Sequence, residues 1–230
     1  MSGARFAVYY APAEDSPLTR FGWAWLGRDP RSAGDAPFPA VGLDTVRHAE
    51  LIAEPRRYGL HATLKPPFRL AQGCKREDLV DAMARFCAAT RPVEAPALTL
   101  AAIDGFIALV PREDAPELDR LAARCVDSFD RFRAAPSEAE TKKRLAANLS
   151  DRQRALLDRW GYPYVMEEFR FHITLTGRLD AANRAEIIAL LSPHVAETNA
   201  APLRIDSLCL FEQPDTDRRF VLTARFPLGD

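Results

Sequence analysis

The sequence predicts an α+β protein built twice over, a single bilobal chain of 230 residues. Three observations carry that expectation. A His-x-Thr-Leu tetrad occurs at His61-Ala62-Thr63-Leu64 and again at His172-Ile173-Thr174-Leu175, 111 positions later. Each tetrad lies in a stretch whose apolar and polar residues alternate with the period of a strand. Each is followed by one helical pattern and two strand patterns, so the order strand, helix, strand, strand occurs twice. This spacing builds lobe one around 58–110, a helical bridge over about 113–160 and lobe two around 169–226.

Taken in order, Arg5 to Tyr10 is aromatic and β-branched and reads as the first strand, ended by Pro12 and Pro17. Ser16-Pro17 reads as an N-cap with proline at the first helical position, opening a helix over Leu18 to Leu26. Trp23 and Trp25 in that helix cannot share one face, so at most one is expected fully in the core. Residues 28–43 read as a loop and Asp44 to Ala53 as a short helix, with His48 expected at the surface or boundary. The first motif strand follows and is expected to end at Pro66-Pro67, because the residue before proline prefers an extended backbone.

Lys75 to Ala89 has helical spacing of Leu79, Met83, Phe86 and Cys87. Leu98 to Leu100 and Phe106 to Val110, joined through Ile103-Asp104-Gly105, read as a hairpin. Glu113 to Phe132 is an amphipathic helix. Pro136 opens a polar helical stretch with Lys142-Lys143-Arg144, read as a solvated face rather than a binding arm. A helix from Leu149-Ser150 to Trp160 stops at Gly161-Tyr162-Pro163. After the second motif strand come a helix over Ala181 to Leu191, with His194 beyond its end, and strands over Leu203 to Phe211 and Arg219 to Phe226.

Composition removes several classes of function. A net charge of −1 and a pI near 6.5 argue against a protein that grips long nucleic acid along a basic face. The cysteines Cys74, Cys87, Cys125 and Cys209 have no C-x-x-C spacing and are expected as mostly buried thiols. The first residues lack a signal-peptide apolar region and no run approaches membrane-spanning length, so the expectation is a cytoplasmic protein with no membrane partner.

The chemistry follows from the two strands. On the first, Leu60, Ala62 and Leu64 point one way and His61, Thr63 and Lys65 the other; on the second, Phe171, Ile173 and Leu175 oppose Arg170, His172, Thr174 and Thr176. Two imidazoles, whose ordinary pKa is about 6.5, can divide acid and base labour across one cleft. The threonine hydroxyls can donate to an anion without adding charge. Acid, base and several donors around an anionic centre suit cleavage of a phosphodiester, with water as the nucleophile. From the geometry of the face, Lys65 and Arg170 join Thr63 and Thr174 as candidate substrate-binding residues, with His61 and His172 as the candidate catalytic pair. Neither motif has the H-x-H or HExxH form of a metal site.

These tetrads resemble the paired HxT/S motifs of the 2H phosphoesterase superfamily. The longer strings Tyr58-Gly59-Leu60-His61-Ala62-Thr63-Leu64-Lys65 and Phe171-His172-Ile173-Thr174-Leu175-Thr176-Gly177, with Tyr9-Tyr10-Ala11-Pro12, resemble more narrowly the phosphonate-metabolism branch DUF1045. The resemblance implies a pseudo-two-fold bilobal fold with antiparallel sheets lining a central cleft and helices outside. It implies His61 and His172 as acid and base, Thr63 and Thr174 on the phosphate, and neither metal nor cofactor. The implied activity is metal-independent hydrolysis of a small cyclic phosphodiester, either a cyclic nucleotide or a ribose cyclic phosphate such as 5-phosphoribosyl 1,2-cyclic phosphate. RNA 2′-5′ ligase-like end processing and a non-catalytic nucleotide-binding module are the alternatives.

Overall fold

The computed structural model describes residues 3–32, 34–145, 148–198 and 201–229. Its frame is a seven-stranded antiparallel sheet formed by β1 (Arg5–Tyr10), β2 (Ala62–Arg69), β4 (Leu98–Ile103), β5 (Phe106–Pro111), β6 (Ile173–Thr174), β8 (Ser207–Gln213) and β9 (Val221–Pro227). The spatial order is β4-β5-β6-β2-β1-β8-β9. Strands β3 (Val93–Ala95) and β7 (Leu203–Ile205) pair separately. The helices are α1 (Pro17–Trp25), α2 (Thr45–Ile52), α3 (Arg76–Ala88), α4 (Pro116–Asp130), α5 (Glu138–Leu145), α6 (Asp151–Trp160) and α7 (Ala181–Thr198). Among the described residues no helix is long and apolar enough to cross a membrane.

Sheet alternation divides the interior. Phe6, Val8, Tyr10, Ala62, Leu64, Ile107, Leu109, Ile173, Leu208 and Leu210 face the main core beneath the helices. Ala7, Tyr9, Cys209 and Phe211 face the opposite side and form a smaller aromatic cluster with Phe220 and Tyr58. Trp25 is fully buried and Trp23 is not, as the helix spacing requires. Three of the cysteines are buried, and Cys74 is half-buried.

The strand pair after each motif strand does not pair with that strand. The β4–β5 hairpin is bonded to β6, the second motif strand, and the β8–β9 pair is bonded to β1 beside β2. Between them the chain crosses the helix layer, with α3 packed against β8 and β9, and α7 against β4 and β5. Periodicity orders strands along the chain and carries no information on which neighbours they choose.

Other boundaries shifted for local reasons. β2 continues through Pro66 and Pro67 to Arg69, because its register with β1 slips between Phe6 and Val8 and places the prolines in the irregular stretch, where a ladder N–H is dispensable. α7 runs through Pro193 to Thr198, so His194 lies inside a helix rather than beyond one. Ile187, Leu191 and Val195 make one buried stripe across the proline, and their burial outweighs the lost backbone bond. The expected strand over Leu203 to Phe211 breaks at Asp206, where the chain changes partner from β3 to β1.

His48 was expected near the surface and is instead buried. Its Nε2 lies 2.8 Å from the Trp25 carbonyl, and its ring stacks on Phe38. Burial draws its pKa below the usual value, with the Trp25 carbonyl opposing. Trp25 in turn donates its indole N–H to the Leu175 carbonyl at 2.8 Å, and Gly22 one turn earlier lies directly against Leu60. α1 therefore braces the ends of both motif strands. Trp25→Phe, which leaves that buried carbonyl without its donor, should cost about 1–3 kcal/mol in urea unfolding, since an unpaired buried acceptor keeps its desolvation penalty.

Candidate functional site

The two motifs are neighbours in the sheet. β2 and β6 pair antiparallel with Ala62 opposite Ile173, the central residues of the two tetrads. One residue to either side, this register sets His61 beside Thr174 and Thr63 beside His172. The alternation sends all four side chains to the face away from the main core. The histidines are thus diagonal neighbours, with Cα atoms roughly 7–8 Å apart. They interact electrostatically: His172 contributes to the lowered pKa of His61.

Each imidazole is fixed in the same way. His61 donates Nδ1–H to the Gly59 carbonyl at 2.8 Å, and His172 donates Nδ1–H to the Arg170 carbonyl at 2.7 Å. A carbonyl only accepts, so both rings carry the proton on Nδ1 and leave Nε2 with its lone pair. Gly59 has φ +83°, a conformation costly for an L side chain, and a Cβ there would lie 2.8 Å from Pro30. The residues just before it are held by Arg28, fully buried, which donates to the Arg56 carbonyl at 3.1 Å, the Arg57 carbonyl at 2.9 Å and also the Phe220 carbonyl. Burial pulls that guanidinium down to about 10.

The electrostatics favour neutral rings. Burial pulls the His61 pKa down to about 4, opposed by the Gly59 carbonyl and reinforced by His172. Burial also lowers His172, with the Arg170 carbonyl and the Asp104 carboxylate opposing. Asp104, at φ 45°, opens the tight β4–β5 turn with Gly105 at φ 96°, which brings this carboxylate to the His172 side. Phe106, just after that turn, lies 5.6 Å from the His172 ring.

Tyr9 carries no local motif that marks it for the site. Its ring stacks on His61 with centroids 3.9 Å apart, and it faces Thr63 across β1 and β2 with the two hydroxyls within reach of each other. Burial, then Tyr58 and Tyr162, raise the phenol pKa well above its usual value, so it stays a neutral hydroxyl. Adjacent strand residues face opposite ways, so one of Tyr9 and Tyr10 had to face the histidines. Tyr58, 5.8 Å from His61, and Phe211, 6.0 Å from it, complete the wall.

Lys65 is not brought to the site. β1 pairs Tyr9 with Thr63 but Val8 with Lys65, a one-residue bulge at Leu64 that turns Lys65 to the core face. There its Nζ donates to the Val126 carbonyl at 3.1 Å and to Asp130 at 3.2 Å. Burial lowers its pKa to about 8 although Asp130 opposes. Partial burial pushes the Asp130 carboxyl up, but Arg133 and Lys65 outweigh it and hold it below the usual range. Arg170 stays exposed and contributes its backbone carbonyl to His172. Thr176 is buried, accepting from the Ile107 N–H at 3.0 Å and donating to the Gly177 carbonyl, so it ties β5 to the second motif. Of the polar segment at 142–144, the side chain of Lys143 lies outside the described residues, and Arg144 is half-buried over the Tyr162 ring rather than solvated.

The family described as "Protein of unknown function (DUF1045)" matches residues 63–221, more than half of the chain. The chain belongs to the DUF1045 family. The matched stretch includes Thr63, His172 and Thr174 and begins just after His61. The chain is also similar to proteins named ribose 1,5-bisphosphate phosphokinase PhnN. It is 40% identical to that of Janthinobacterium sp. (strain Marseille), over 99% of this chain and 51% of the relative. It is 35% identical to that of Laribacter hongkongensis (strain HLHK9), over 95% of this chain and 50% of the relative. The chain therefore spans about half the length of these curated relatives.

Two consequences can be measured. Lys65→Ala leaves Asp130 with Arg133 alone and should cost about 3 kcal/mol in denaturant unfolding, the lower end for breaking a buried pair. The second concerns acid stability. An unfolded imidazole takes up a proton near pH 6.5, whereas His61 resists until about 4. Between those values the unfolded state binds the extra proton, so His61 reduces stability as pH falls and has no such effect above 6.5. The unfolding midpoint of the wild type should fall more between pH 7 and pH 5 than that of His61→Asn.

Proposed function

We propose that this domain is a 2H-type phosphoesterase that hydrolyses a small cyclic phosphodiester without a metal, with His61 and His172 as base and acid. The observation that carries the reading is the duplicate fixing of the two histidines, each with Nδ1–H on the carbonyl two residues back and Nε2 without a hydrogen bond among the described residues, diagonal across one strand pair. The local two-fold relation of the antiparallel β2–β6 pair, each strand carrying one tetrad, supports an origin by duplication.

His61 has the more depressed pKa and is the base. His172 lies beside Asp104, becomes protonated when the anionic substrate enters, and is the acid. Water attacks phosphorus as His61 Nε2 takes its proton. The opposite P–O bond breaks, and His172 Nε2–H protonates the departing alkoxide. One water is consumed and a phosphomonoester is released; proton exchange with solvent resets the rings. Thr63 and Thr174 donate to the non-bridging oxygens.

The relatives' name adds a substrate class. Opening the ring of ribose 5-phosphate 1,2-cyclic phosphate at the 2-oxygen gives ribose 1,5-bisphosphate, the compound named for those proteins. This chain contains no G-x-x-x-x-G-K-[ST] segment of the kind that cradles a nucleotide's phosphates. We assign the phosphokinase step to the half of the relatives that this chain does not match. The domain would then make the compound that the kinase consumes, within phosphonate metabolism.

Chelator-treated protein should open this ribose cyclic phosphate or a 2′,3′-cyclic nucleotide in a phosphorus NMR assay. His61→Asn and His172→Asn should each lower kcat by about 10²–10⁴-fold with a much smaller change in KM. Tight binding of these compounds without turnover would replace the enzyme by a binding module.

A further inference from the structure

At the Arg5 end of the sheet face that carries the histidines, cations outnumber their carboxylate partners. Arg5 and Arg69 face each other across β1 and β2. Arg69 is occupied by both oxygens of Glu140, at 2.7 and 2.5 Å, and Arg133 by Asp130 at 2.7 Å. Arg5 and Arg144 have no carboxylate within ion-pair distance among the described residues. Arg5 is half-buried over the Phe220 ring at 5.4 Å, and its Nε donates to the neutral Gln213 amide at 2.6 Å. Arg144 is half-buried over the Tyr162 ring at 4.9 Å and donates to the Gly161 carbonyl.

Arg5 is joined to His61 through rings. Phe220, beneath Arg5, lies 6.3 Å from Tyr9 and 5.2 Å from Tyr58, and each of those tyrosines contacts His61. The Tyr162 phenol interacts electrostatically with the phenols of Tyr9 and Tyr58, and Arg144 with Glu140, whose two oxygens are bound to Arg69, and with Arg133 and Arg5. Two guanidiniums held directly by rings and neutral acceptors, with no carboxylate of their own at ion-pair distance among the described residues, keep their charge for an incoming anion.

We propose that Arg5 and Arg144, with the Tyr162 hydroxyl, form a second anion site that binds a terminal phosphomonoester of the substrate while the cyclic phosphate lies on the histidines. The proposal rests on the reading of the histidine pair as a phosphoesterase centre, and it narrows the substrate class to sugar phosphates with a second, non-reacting phosphate. A sugar bearing one phosphate but no cyclic phosphate should still bind at this site alone.

The test is the binding of ribose 5-phosphate by titration calorimetry to the wild-type chain and to Arg5→Gln, Arg144→Gln, Arg131→Gln and His172→Asn. Arg131 is exposed at the end of α4 and controls for a loss of charge in general. The wild type should bind, and Arg5→Gln and Arg144→Gln should each weaken binding about 10–100-fold, the range for a charge-assisted bond. Arg131→Gln and His172→Asn should stay within about threefold. The midpoint of thermal unfolding, measured on every variant, identifies a loss caused by misfolding; in that event Arg5→Lys and Arg144→Lys, which keep charge and lose the fork, should each bind more weakly than wild type and more tightly than the glutamine variant. No binding by the wild type, binding by both arginine variants as tight as that of the wild type, or loss confined to His172→Asn would overturn the proposal. Binding requires no turnover, so this result stands apart from whether the histidines catalyse.

Discussion

The geometry of the face depends on one pairing, Ala62 opposite Ile173. Both residues are buried in the main core, so a slip of one residue would turn apolar side chains to the open face and the histidines into the interior. The register is held from beneath, where α1 bonds Leu175 through Trp25 and packs Gly22 on Leu60. It is held from the sides by β1 and β5. With the register set, ordinary strand alternation delivers four polar side chains to one surface without any loop having to adopt a special shape.

The same frame sets the electrostatics. Burial depresses both imidazoles, while backbone carbonyls hold their Nδ1 protons in place. Such rings present Nε2 as a hydrogen-bond acceptor at neutral pH, and an anion that compensated the charge would turn that nitrogen into a donor. Tyr9 adds a hydroxyl and a stacking surface without adding charge. On the core face, Lys65 shows the alternative use of a cation, locked between a carbonyl and Asp130 and spent on packing the sheet against α4.

The tetrads, their strand character and most helices were legible because each is a local pattern: Ser16 caps α1 through the Thr19 N–H, and Asp44 caps α2 through the Arg47 N–H. The facing of His61, Thr63, His172 and Thr174 followed from period-two alternation alone. What failed was set by partners distant in sequence. Lys65 needed the bulge opposite Val8, His48 needed Phe38 and Trp25 around it, and helix α7 needed a buried stripe to carry it past Pro193. The exchange of hairpins between the two motif strands was invisible for the same reason. Tyr9 lay in between: its facing could be inferred, but its contact with His61 depended on β1 lying next to β2.

That placement of β1 bears on how the chain acquires its structure. β1, made before every other strand of this sheet, ends up fifth across it, with β2 on one side and β8, roughly two hundred residues later, on the other. Until β8 emerges, β1 lacks its neighbour on that side. The motif strands themselves can meet only when β6 has been made. Contacts of such long range favour slow, late consolidation, and place the interval of greatest aggregation hazard during synthesis rather than after it.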